Sequence, residues 1–162
     1  MKKILIFGNS GSGKSTLALK LSSSTNLAHL DLDTLAWQPM QPPNRESLDV
    51  SREKIEAFTS NNSNWVIEGC YADLLEIVSS QATEIIYLNL PVELCIENAR
   101  NRPWESHKYK SKEAQDKNLN MLIDWITQYT NRDDEFSYKS HMNFYSNFVG
   151  NKSMIKHNAK NT

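Results

Sequence analysis

A chain of 162 residues with 18 basic and 19 acidic side chains and a net charge of −1 is sized for one domain over 1–162, with a core hiding roughly two thirds of the unfolded surface. An apolar share of 39% argues against disorder, and the near-neutral charge, −4 over residues 1–100 and +3 over 101–162, argues against a dedicated nucleic-acid binder with its concentrated basic face. The first apolar run has only four residues before Gly8, and no stretch nears the roughly 18 of a membrane span, so no membrane partner and a cytoplasmic location are expected.

In chain order, Lys3–Phe7 reads as a strand buried on both faces and stopped by Gly8. A helix follows through Leu17, Leu19 and Leu21 to Ser24. Ala28–Leu32 is a second short strand, Pro39, Pro42 and Pro43 mark a loop, and Ser47–Phe58 has helical charge spacing. Trp65-Val66-Ile67 is a third strand cut off by Glu68-Gly69, and Glu84–Leu88 a fourth. Pro91 suits the first turn of a helix running to Asn101. Residues 102–112 lack apolar periodicity and read as an exposed loop, whereas Leu119, Leu122, Ile123 and Ile126 line one helix face. Met142, Tyr145 and Phe148 mark a last helix before Gly150, and Ser153–Lys156 a short final strand. Short buried strands alternating with helices predict an α/β fold with a parallel sheet. Cys70 and Cys95 fit no ligand spacing and read as buried free thiols.

The chemistry-bearing segment is Gly8-Asn9-Ser10-Gly11-Ser12-Gly13-Lys14-Ser15-Thr16, a full G-x-x-x-x-G-K-[ST] match placed between a strand and a helix. Its glycines let successive backbone N–H groups turn inward around a phosphate at the positive end of a helix. Lys14 would set a compact charge on the β- and γ-phosphates of ATP, and Ser15 would offer its hydroxyl to Mg²⁺. A GTPase would need an NKxD-type base-reading segment, which is absent, and large ATPase engines need more chain. A small-molecule kinase is therefore expected.

Downstream, Asp31 and Asp33 stand two residues apart at the end of the second strand, so they should face one space at the ligand-binding edge of the sheet. One would support Mg²⁺ and the other would accept a proton from a substrate hydroxyl; a solvated acidic turn is the competing interpretation. His29 reads as a partly buried loop or strand residue. Residues 102–112 read as a basic surface loop or as a lid closing over phosphates, with Arg102 reaching them; Arg100 is a nucleotide contact or a solvated helix end. Trp37, Trp104 and Tyr71 are candidates to line an acceptor pocket, whereas Trp65 and Trp125 read as packing residues.

The P-loop, the Asp-x-Asp beginning seventeen residues after Lys14, and Arg102-Pro103 resemble shikimate kinase and its relatives. A closer resemblance is to bacterial adenylate-kinase-like proteins, also labelled DNA-topology-modulation-like, carried by His29-Leu30-Asp31, Trp37, Trp65-Val66-Ile67-Glu68-Gly69-Cys70-Tyr71, Arg102-Pro103-Trp104 and Arg132-Asp133-Asp134-Glu135-Phe136-Ser137. The resemblance implies a three-layer P-loop NTPase fold with a five-stranded parallel sheet in the order 2-3-1-4-5 and a lid. It also implies metal contacts at Ser15, Asp31 and Glu68, and substrate contacts at Asp33, Trp37 and Tyr71. Cys70-Tyr71 stands where nucleotide kinases have Phe-Pro and no arginine follows, and the triple glycine of shikimate kinase is missing, so the acceptor stays open. Beside a kinase of ATP and a small-molecule acceptor stands a nucleotide-dependent regulatory ATPase without one.

Overall fold

The most apolar stretches of the chain form the middle of the sheet, as strands covered on both faces require. In the computed structural model, which describes residues 1–158, these are β1 (Lys3–Gly8), β3 (Trp65–Gly69) and β4 (Glu84–Leu88). The shorter β2 (Ala28–Asp31) and β5 (Asn151–Ile155) form the edges, giving one parallel five-stranded sheet in the order β2-β3-β1-β4-β5. Register places Glu68 beside Ile6 on one flank and beside Asp31 on the other.

Alternation along the strands divides the core into two layers. Leu5, Phe7, Ile67, Ile85 and Tyr87 face α2 (Leu48–Asn61), α3 (Ala72–Val78) and α6 (Tyr138–Asn147). Ile4, Ile6, Val66, Ile86 and Leu88 face α1 (Lys14–Thr25), α4 (Val92–Arg100) and α5 (Lys112–Thr127). A side chain the size of Phe7 or Ile67, fully buried, contributes about 1.5–3 kcal/mol relative to exposure. Trp65 lies wholly in the first layer and Trp125 packs against it, as their packing assignment requires. Cys70 and Cys95 are free thiols, Cys95 buried and Cys70 partly so.

Several elements depart from the sequence expectation, β5 among them, which runs Asn151–Ile155 and not 153–156. β2 stops at Asp31, because Leu32–Thr34 tightens into a single 3₁₀ turn capped by the Asp31 carboxylate. α3 is an additional element: it has seven residues and no side-chain cap, and its first amide, on Ala72, is held by the distant Glu135 carbonyl. The loop after α4 ends at Ser111, whose hydroxyl caps α5 by accepting from the Ala114 amide, so Lys112 is already helical. The last helix ends at Asn147, leaving Phe148 extended as its cap. Among the described residues, no helix is long and apolar enough to cross a membrane.

Candidate active site

Gly8–Thr16 bridges the end of β1 and the start of α1, and its shape is imposed by its neighbours. Gly13 caps α1 with φ 92°, a left-handed conformation that disfavours side chains. Gly11, at φ 80°, passes so close to α4 that an added Cβ would lie 2.3 Å from the Cys95 carbonyl oxygen. The Asn98 side chain donates to the Gly11 carbonyl (2.8 Å), and the Asn9 side-chain Nδ2 donates to the Ile126 carbonyl at the end of α5 (3.2 Å). Lys14 Nζ donates to the Asn9 carbonyl across the loop (2.9 Å). Ser10 is half-buried, Thr16 points to solvent from α1, and Ser12 Oγ is buried without a partner.

At the end of β3, Glu68 is only 2% exposed. A carboxylate so deeply buried needs partners, and each oxygen has one: Oε1 accepts from Ser15 Oγ (2.8 Å) and Oε2 from His29 Nε2 (2.8 Å). The hydrogen bond to Glu68 outweighs burial and holds the His29 pKa above its ordinary value. Asp31 lies alongside, its carboxyl pKa raised by burial and by the neighbouring charges of Asp33 and Glu68. Ser15, Glu68 and Asp31 are hard oxygen donors of the type Mg²⁺ prefers. Among the described residues, no three His, Cys, Asp or Glu side chains converge as a complete cage. Mg²⁺ takes few protein ligands and completes its shell with phosphates and water. These residues fit the cation.

Asp31 and Asp33 do share one space, though not through strand alternation. The 3₁₀ turn carries Asp33 round while the Asp31 carboxylate accepts its amide (2.9 Å). Tyr71 OH donates to Asp33 Oδ1 (2.5 Å) and accepts from Trp37 Nε1 (2.8 Å). Burial would raise the Asp33 pKa, but the Tyr71 hydrogen bond and the charges of Lys108 and Lys14 prevail and hold it below the usual value. Tyr71 is 2% exposed, so it reaches the site through Asp33; Trp37, 37% exposed, presents a ring to solvent. The Arg45 guanidinium lies 4.9 Å over the Tyr71 ring and pairs with Asp73 (3.1 Å) and Glu135 (2.8 Å).

Lys108, not singled out by sequence, extends from the loop to Asp33 (3.3 Å), Asp31 (3.8 Å) and Glu105 (3.7 Å). The loop is also tied to α5, with Gln115 bonded to Glu105 and Pro103. Arg102 donates to Glu105 (3.0 Å), and Arg100 is exposed at the end of α4. Lys108 and Arg45 are residues sequence reasoning missed, and His29, read as a partly buried loop or strand residue, does lie partly buried on β2 but also holds Glu68. Only His29 left a signal: as the residue two before Asp31, it shares that strand face.

The sequence profile of the AAA domain family matches residues 4–136. The chain belongs to that family. A relative, the uncharacterized protein YqaC of Bacillus subtilis, is 27% identical over 135 residues, covering 80% of this chain and 74% of that one. Among solved structures, shikimate kinase of Acinetobacter baumannii in complex with shikimate superposes at TM-score 0.52 with 17% identity, over 99% of this chain and 86% of that one. The YorR protein of Bacillus subtilis in complex with phosphorylated GDP gives 0.50 with 12% identity, over 95% and 85%. This AAA domain therefore has the α/β fold of P-loop kinases, with the sheet order 2-3-1-4-5.

Proposed function

We propose that the protein is an ATP-dependent phosphotransferase acting with Mg²⁺ on a small hydroxylated or nucleotide-like acceptor. The observation that carries the proposal is the acid pair on the sheet edge that also bears the phosphate loop, joined to it by the contact of Glu68 with Ser15. In this scheme the backbone of Gly8–Thr16 holds the ATP phosphates, and Lys14 neutralises charge on the transferring oxygens. Ser15, Glu68 and Asp31 would hold Mg²⁺, which would supply neutralisation of phosphate charge. Asp33, ionised and with Oδ1 fixed by Tyr71, accepts the hydroxyl proton at Oδ2. The acceptor oxygen then bonds to the γ-phosphorus, and the bond from that phosphorus to the ADP oxygen breaks. Trp37 would pack on the acceptor, Arg100 would meet the nucleotide, and Arg102 would leave Glu105 for the phosphates as the loop closes.

One observation favours the second function, a regulatory ATPase without an acceptor: Lys108 pairs with Asp33, the group an acceptor would use. A panel of polyols, sugars, nucleosides and nucleotides separates the two. A kinase releases ADP above its acceptor-free rate with one of them, the phosphorylated product appears by mass spectrometry, and Asp33→Asn removes that increment while ATP·Mg²⁺ still binds. An unchanged rate across the panel supports the regulatory function.

A further inference from the structure

We propose that His29 is a positioning residue for the divalent-cation site, acting through Glu68. Glu68 is almost completely buried and has two partners, one for each oxygen. They are not equivalent. Ser15 is itself a candidate cation ligand, its oxygen lone pairs turned to the cation while its hydrogen serves Glu68. His29 has no such second role. It stands on β2, one strand over from Glu68, and its imidazole holds Oε2 while Oε1 faces Ser15 of the phosphate loop. Without it, Oε2 would be left buried without a partner and the carboxylate would lose its fixed orientation. Groups that orient a metal ligand in this way typically change metal affinity by about 10–100-fold when removed.

The inference rests on the proposed cation site but on no acceptor, so binding alone tests it. Calorimetry with a nonhydrolysable ATP analogue, in Mg²⁺ and in EDTA, gives the cation's share of affinity for the wild type and for His29→Phe and His29→Gln. His29→Phe should weaken Mg²⁺ binding to the analogue-saturated protein by about 10–100-fold and move the EDTA affinity by less than about twofold. His29→Gln, which can present an N–H near the place of Nε2, should recover most of the loss. If His29→Phe does not fold, His29→Ala carries the same comparison. An unchanged Mg²⁺ affinity, an equal loss in Mg²⁺ and EDTA, or His29→Gln as weak as His29→Phe would overturn the assignment. A wild type that gains nothing from Mg²⁺ would overturn the cation site itself.

Discussion

Stability should fall in mild acid through one buried ring, that of His141 on α6. Its Nε2 faces the Cys70 carbonyl (2.8 Å) and must carry the proton, so Nδ1 is the acceptor for Tyr129 OH (2.7 Å), which in turn accepts from Tyr87 OH (2.6 Å). Protonating Nδ1 would place donor against donor and a charge inside the core. Burial accordingly lowers the His141 pKa from 6.5 to about 4. The folded value is the lower one, so the neutral ring's contribution is complete above 6.5 and is lost as pH falls toward 4. At roughly 1.4 kcal/mol per pKa unit, the loss approaches about 3 kcal/mol in full, of which about 2 kcal/mol falls between pH 7.5 and 5. Urea unfolding at those two pH values, in the wild type and in His141→Gln, isolates the effect. The variant keeps a donor and an acceptor but does not titrate, so its stability should drop by about 2 kcal/mol less than the wild type's. Equal drops would refute the reasoning.

Two further outcomes are expected at the site. Lys14→Ala removes an ammonium held by one loop carbonyl, so it should keep a cooperative melt while ADP release falls by roughly 10²-fold or more; near-normal release would contradict the role given to Lys14. Lys108→Ala should speed amide exchange over residues 103–110 without nucleotide. Partly exposed pairs of this kind are worth about 1 kcal/mol at most, so the expected acceleration is about fivefold, and unchanged exchange would show that the lysine does not hold the loop.

The phosphate loop and the strands around it are legible because their signals are local: glycines at fixed spacing, and apolar runs too short for anything but buried strands. The strand order comes with the resemblance and not from the pattern of residues. α3 is illegible because its first amide is satisfied by Glu135, 63 positions away in sequence. The facing of Asp31 and Asp33 is expected for the wrong reason, since a 3₁₀ turn and not strand alternation brings them together. Lys108 cannot be told from Lys110 or Lys112 by sequence, because only the path of the loop decides which ammonium meets the acids. The neighbourhood of Arg102 in sequence points to phosphates, while its nearest carboxylate lies three residues on, at Glu105.

The clamping of the phosphate loop by α4 and α5 has a thermodynamic meaning of its own. Fixing the backbone of one residue costs about 1–2 kcal/mol in lost freedom. With Gly11 held by Asn98 and Asn9 by Ile126, that loss is met when the chain folds and not when a nucleotide binds. Phosphate contacts can then appear almost undiminished as affinity, the usual benefit of preorganisation. The same arrangement makes Asn98, on α4, a control on nucleotide affinity: loosening it would return part of the ordering cost to the binding step.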